Sequence, residues 1–255
     1  MRFTTVIAAY LVVFGLQSCR FREIPDDVAE FPAEFELRIS ELLGADDRDC
    51  QLVFNSVEQY CDSTSILFQK TSSAASFGIE LKAIAANNDC SAPSIRAFAA
   101  VSLGALANGN YDISIVLRDA LTSTGQLMVS DEVYELQLFQ KEGISLFNQT
   151  IRRVPEGLVW GEVWFDDAAE AKANSFLAEF AMRTQMVSLA QGNYGYFSFG
   201  KEGMLTDNLY DFSHKMLFWG IATQTENLLT LAEETNAMLG SHGTLTLNTW
   251  KGEHF

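Results

Sequence analysis

The residues best placed to do chemistry fall in the last hundred positions of this 255-residue chain. Leu158 to Phe165 alternates as a strand does, and alternate residues of a strand share a face. Leu158, Trp160, Glu162 and Trp164 point one way, Val159, Val163 and Phe165 the other. With two further strands, at 194–199 and 244–250, the same face collects Tyr194, Tyr196, Ser198, Thr246, Asn248 and Trp250. Rings supply stacking area and the polar atoms set orientation, which is what a recognition surface needs. Three occupants remain open for it: another part of the same chain, a partner protein, or an envelope polymer or other glycan.

Catalysis has weaker support. Glu162 with Asp207 or Asp211 could form a carboxylate pair of the kind an extracellular hydrolase uses, given a common cleft and a separation of about 5–10 Å. No phosphate loop, dinucleotide fingerprint, nucleophile elbow or zinc-protease helix occurs, and Ser198 in Gly195-Tyr-Phe-Ser-Phe-Gly200 has the wrong spacing for a nucleophile. Asp46-Asp47-Arg48-Asp49 and Asp166-Asp167 lack the spaced oxygens and glycine of a calcium loop. His214, His242 and His254 lie near turns or the terminus and read as surface residues. The expectation is a non-enzymatic binding or adhesion protein with no metal and no cofactor; the alternatives are that hydrolase, or a structural subunit of a surface assembly built by strand exchange.

Charge narrows the partners further. Lys plus Arg number 17 against 33 Asp plus Glu, a net charge of -16, which disfavours nucleic acid and anionic lipid headgroups. Stacking of RNA on the aromatic face would need basic neighbours, and residues 156–255 hold 5 Lys plus Arg against 13 Asp plus Glu. With 48% hydrophobic residues and only 4 Pro, the chain is a folded one, long enough for two modest domains.

The first residues read as an export signal: Arg2 is followed by an uncharged apolar run, 6–16, too short to span a bilayer. Leu16-Gln17-Ser18-Cys19 resembles the lipobox of bacterial lipoproteins, although Gln17 stands where a small or aliphatic residue is usual. The resemblance implies removal of a signal peptide, 1–18, lipid on Cys19, a tether at 19–33 and a place in the bacterial cell envelope. The alternative is a plainly secreted protein. Export permits a disulfide, and the run from Cys50 to Cys61 suggests a hairpin turning at Asn55-Ser56 that would set those two opposite each other, in preference to Cys61 with Cys90.

Two rhythms divide the rest. Short alternating runs at 35–42, 51–57, 65–69, 77–85, 95–102, 111–118, 126–130, 133–139 and 144–147 predict an all-β domain over 34–150. Within it, Leu106-Ala-Asn-Gly-Asn-Tyr111 resembles the tyrosine corner of immunoglobulin-like and fibronectin type III sandwiches, with a spacing one residue shorter and Asn108 in place of proline. The resemblance implies an immunoglobulin-like sandwich in which the Tyr111 hydroxyl bonds upstream backbone. From 156 to 255 the order strand, helix, strand, strand, helix, strand follows. Capping signals at Asp167-Ala-Ala-Glu170 and Thr223-Gln-Thr-Glu226 mark the helix starts, and Gly192 and Gly240 the stops. That βαββαβ order is the one of a ferredoxin-like α+β domain. Both helices would then lie over Val159, Val163, Phe165, Phe197, Phe199, Leu245 and Leu247, leaving the aromatic face on the far side.

Overall fold

The period-two alternation of buried and less buried residues builds the first half. In β1 (Phe35–Leu42), Phe35, Leu37 and Ile39 are buried, and the residues between them are half-buried or exposed. Nine strands follow: β2 (Asp49–Cys61), β3 (Ser65–Ser72), β4 (Ser76–Ala85), β5 (Ser94–Gly104), β6 (Gly109–Leu117), β7 (Leu121–Val129), β8 (Val133–Leu138), β9 (Ile144–Leu146) and β10 (Thr150–Arg152). They form one curled sheet in the order β10-β8-β7-β6-β4-β3-β5-β2-β1-β9. This computed structural model describes residues 32–44, 47–61, 65–85, 94–206, 210 and 212–255.

Two features make the sheet wrap around a single core. Between β3 and β5 the ladder is one parallel bridge, Ser65 to Phe98. At the far end, β9 pairs in parallel with β1, and a short connection later β10 pairs with β8, so the terminal strands of the order are neighbours along the chain. Asn148, between them, supplies a strand-like pair of bonds from its side chain: Oδ1 accepts from Ile39 N at 2.9 Å and Nδ2 donates to Ile39 O at 3.1 Å. The enclosed core includes Leu52, Phe54, Ile79, Ile113, Leu127 and Tyr134.

Each of the nine strands expected in this half is present with its ends moved by a few residues; β10 is additional. The hairpin expected between Cys50 and Cys61 is not. Residues 49–61 are one strand, bonded to β1 on one side and β5 on the other, with a bulge between Asn55 and Gln59 where the turn was expected. Cys50 lies opposite Gly104 and Cys61 opposite Ser94, at the two ends of β2. A strand rises about 3.3 Å per residue and bridged cysteines need Cα atoms within about 7 Å, so these two cannot pair within the chain. Cys50 is a buried free thiol. Cys90 and the export segment with Cys19 fall outside the described residues.

The second half starts with β11 (Leu158–Phe165), all eight of whose residues are buried. It is the centre of a three-stranded antiparallel sheet, flanked by β15 (His214–Ile221) and β16 (Gly243–Thr249). Two helices, α1 (Glu170–Arg183) and α2 (Glu226–Leu239), cover one face. Phe176, Phe180, Leu228, Leu231 and Leu239 pack there on Val159, Val163, Phe165, Phe218, Leu245 and Leu247. Gly240, at φ 60°, ends α2 in a conformation that β-carbons disfavour. Asp166 accepts from Ala168 N and caps the turn leading into α1, one residue before the expected cap, whereas Thr225 at the start of α2 makes no side-chain cap bond.

The segment expected as a strand at 194–199 departs from this sheet. Gly195, at φ 83°, turns the chain tightly, with Tyr194 N donating to Phe197 O at 2.8 Å. Pairing resumes only in a small separate sheet of β12 (Gly192–Asn193), β13 (Ser198–Gly200) and β14 (Gly203–Leu205). Phe197 and Phe199 consequently leave the helix side and pack with Trp160 on the opposite face. Beside β15, Gln185 alone pairs with Ile221, which also ends α1 before Val187 can join its face. Residues 31–255 form one compact unit. Leu43 and Val154 meet Leu158, Trp160, Tyr194 and Met204 in a shared cluster, and no helix among the described residues is long and apolar enough to cross a membrane.

Candidate functional site

The aromatic face of β11 is roofed by the small sheet rather than open. Trp160, Trp164 and Tyr194 are 3%, 4% and 2% exposed. The physical cause is the departure of residues 194–200 from the main sheet, which lays Tyr194 and Tyr196 across the face they were expected to extend and brings Phe197 over it from the helix side. Trp160 meets Phe197 at 5.2 Å and Tyr196 at 5.9 Å between ring centroids, and Tyr194 stacks on Phe197 at 4.7 Å. Trp250 is half-buried at the edge, with the Arg48 guanidinium 5.5 Å from its ring centre and the Lys251 ammonium at 5.7 Å. Ser198 lies in β13, outside the site.

Tyr194 proves to be a structural corner. Leu189-Ala190-Gln191-Gly192-Asn193-Tyr194 repeats Leu106-Ala107-Asn108-Gly109-Asn110-Tyr111 at every position but one. In each copy the phenol donates to the alanine carbonyl four residues upstream, at 2.9 Å from Tyr111 to Ala107 and 2.9 Å from Tyr194 to Ala190. Tyr111 is half-buried against Phe77, and burial of Tyr194 raises its phenol above the ordinary range.

What stays accessible is a cavity of about 260 Å³ between the face and its roof. Trp160, Glu162, Thr246 and Asn248 line it from the sheet face and Tyr196 from the roof, joined by Gly161, Thr206, Tyr210 and His254. Glu162 is 5% exposed and sits on the inner wall. Lys215 Nζ lies 2.9 Å from Glu162 Oε2, and it donates to Thr206 Oγ1 at 2.7 Å while Thr206 donates to the same Oε2 at 2.7 Å. Lys215 also stands 4.3 Å above the Trp164 ring. The contacts of Glu162 with Thr206 and Lys215 both use Oε2, which leaves Oε1 without a donor among the described residues.

On the same sheet face, where Asn248 lies opposite Trp160, His254 Nδ1 is 2.8 Å from Asn248 Oδ1. A carbonyl oxygen only accepts, so the ring nitrogen donates, and Asn248, which lines the cavity, has both Nδ2 hydrogens to give. The Tyr196 hydroxyl accepts from Leu43 N at 3.0 Å and keeps its own proton to donate, while burial raises its phenol above the ordinary range. Tyr196 and Tyr210 are 43% and 41% exposed and flank the opening.

Four lining residues escaped the sequence reading: Gly161, Thr206, Tyr210 and His254. Thr206 and Tyr210 belong to a loop without period, so no pattern marks them. His254 reaches the site because residues 250–255 fold back on β16, with mutual bonds between Leu247 and Phe255 and a turn at Gly252; the Lys251-Gly252 pair was a turn signal. Of the other histidines, His214 pairs with Asp167 at 2.7 Å and His242 with Asp166 at 2.9 Å, on the exposed start of α1. The His242 ring holds the Asp166 carboxyl below its usual range. Asp207 and Asp211 lie outside the described residues. Among the described residues no three of His, Cys, Asp and Glu come together as a metal-binding group.

A second cavity, about 300 Å³, runs between α1 and the outer edge of β15 and is lined mainly by Leu177, Phe180, Met186 and Trp219. It offers little polar chemistry. Compared with family models, curated proteins and solved structures, the chain matches none.

Proposed function

We propose that this chain is an exported, non-enzymatic binding protein of the bacterial cell envelope, anchored by lipid on Cys19, whose C-terminal half presents the binding pocket. The observation that carries the reading is the convergence of Trp160, Glu162, Tyr196, Thr246 and Asn248 on one open cavity. A pocket with an aromatic wall and a few convergent polar groups is the ordinary form of a small-ligand site. The partner is an envelope polymer, taken one unit at a time, because a cavity this small cannot hold more. The lipobox-like Leu16-Gln17-Ser18-Cys19 supports the anchor and the location.

On this reading the first half is an immunoglobulin-like sandwich acting as support, in line with the Tyr111 corner bond. The second half is a ferredoxin-like unit reduced at one edge. Its order β16-β11-β15, antiparallel throughout with both helices on one side, is that of the four-stranded fold without its second strand. The Gln185 to Ile221 bridge stands where that strand would pair.

Two measurements test the proposal. Intact mass of membrane-extracted protein should show lipid on an N-terminal Cys19, and Cys19→Ser should release the chain to the soluble fraction. The released full chain should co-sediment with purified cell-wall polymer, and Asn248→Ala should reduce that co-sedimentation. Failure to co-sediment overturns the binding reading, and an unlipidated wild-type N-terminus overturns the anchor.

A further inference from the structure

We infer that the cavity between β11 and its roof selects an uncharged, polyhydroxylated ring, a neutral monosaccharide unit of a glycan. The inference rests on the envelope-binding reading above and names the chemistry its pocket accepts.

Charge decides the class. An anionic ligand would meet the Glu162 carboxylate on the cavity wall in a chain of net charge -16. A cationic ligand would compete for that carboxylate with Lys215, whose ammonium already lies 2.9 Å from Oε2. With Glu162 already paired to Lys215, a ligand charge of either sign would lose its hydration on entering without a free partner at that carboxylate. A neutral ligand avoids both costs.

The hydrogen-bonding inventory then calls for hydroxyl groups. Glu162 meets Thr206 and Lys215 through Oε2, so Oε1 has no protein donor among the described residues and can accept only. Beside it on the neighbouring strand, Asn248 Nδ2 can donate, because its Oδ1 is taken by His254, and from the roof the Tyr196 hydroxyl can donate because its oxygen accepts from Leu43. A ligand must therefore give a proton to Glu162 and accept one from Asn248 or Tyr196. Ring hydroxyls do both at adjacent carbons. Trp160 and Tyr196 supply the apolar wall against which the C–H face of such a ring packs. The volume, about 260 Å³, lies below the range of roughly 300–1,000 Å³ typical of drug-sized ligands, which limits the fit to a single ring.

The test uses the full chain with Cys19→Ser and four probes: glucose and N-acetylglucosamine as neutral rings, glucosamine as a cation and galacturonate as an anion. Binding is read from the tryptophan emission of the protein and from saturation transfer to the sugar protons. At least one neutral sugar should saturate, with both charged rings weaker by about tenfold or more, a difference corresponding to one misplaced charge. Thr246→Val, which keeps shape and fold, should weaken the neutral sugar by about 2- to 10-fold, and Asn248→Ala by a similar factor, the loss expected for one neutral hydrogen bond. Unchanged thermal midpoints identify these as losses of contact.

Two results overturn the inference: no neutral ring saturates, or a charged ring binds as well as the neutral ones. Neutral binding that neither variant alters also overturns it, since the sugar would then sit elsewhere. If cell-wall polymer still co-sediments while free neutral sugars fail, the choice of ligand class is wrong and the envelope reading survives. If both fail, the envelope reading falls as well.

Discussion

Tyr111 and Tyr194 belong to copies of one local sequence, and each phenol reaches back to the carbonyl of the alanine four residues upstream. The bond ties the start of a strand to the loop before it, so its loss should be felt as stability. Tyr111→Phe and Tyr194→Phe should each lower stability by about 0.5–1.5 kcal/mol, read as a shift of the urea midpoint, and the double change should sum the two. Cys50 makes a second prediction at this scale. Burial, with Asp49 and Glu41 nearby, pushes its thiol up from 9.0 to about 12. A thiol reagent at pH 8 should therefore label native protein only as fast as the chain opens. Because the folded thiol holds its proton where the unfolded one has lost it, stability from this group is full below about pH 9 and declines as pH rises from there toward about 12. Cys50→Ala should flatten that alkaline decline.

Gly161 shows how an element depends on one missing side chain. It lies at the centre of β11, between β15 and β16. A β-carbon built there would stand 2.0 Å from the Thr246 carbonyl oxygen and 2.6 Å from the Phe218 ring. The ring can turn, but the carbonyl belongs to the neighbouring strand. Gly161→Ala should cost about 1–3 kcal/mol or more through overpacking, measured by thermal denaturation, and should distort the cavity that Gly161 also lines. The small sheet above β11 is the element that alternation alone placed wrongly. Residues 194–199 alternate well enough to read as a strand, yet the turn at Gly195 breaks the run after Tyr194. Parity correctly separated Trp160, Glu162 and Trp164 from Val159, Val163 and Phe165, while the conclusion that the aromatic side stays open depended on the missing strand.

Across the whole molecule, a buried carboxylate joins the curled sheet to the segment leading into β11. The Glu41 side chain is fully buried at the end of β1. Tyr134 donates to its Oε1 at 3.2 Å, Val154 N to its Oε2 at 3.1 Å, and Arg48 and Arg153 bring guanidinium groups to 3.7 and 3.8 Å. Arg48 also donates to the Val154 carbonyl. Removing the carboxylate would leave buried positive charge without its partner. Glu41→Ala should cost about 3–5 kcal/mol, and Glu41→Gln, which keeps the shape and one acceptor oxygen, should cost less. The check is chemical denaturation followed by tryptophan emission, since every Trp lies after residue 156. A loss seen there would report that the network in the first half supports the second. Glu41 stood in plain view: Phe35, Leu37, Ile39 and Glu41 share one strand parity, and a charge on the inward side of such a run signals a buried partner.

By itself, the sequence determined the local features of this protein. Alternation located the strands, because burial on one face imposes a period of two on neighbouring residues whatever the topology. Acidic first turns located both helix starts to within a few residues, and Gly240 the end of α2, because free backbone groups at helix ends are satisfied by residues close in the chain; α1 stops at Arg183, well short of Gly192. Tertiary structure alone decided what depends on contacts between distant residues. The 49–61 run became one strand because β1 and β5 both pair with it, which local turn chemistry could not reveal. Thr206 and Tyr210 joined Glu162 and Asn248 in one cavity, and His254 joined them because the chain end folds back on β16. Such meetings are set by long-range packing of the whole core, and no window along the chain contains the residues that make it.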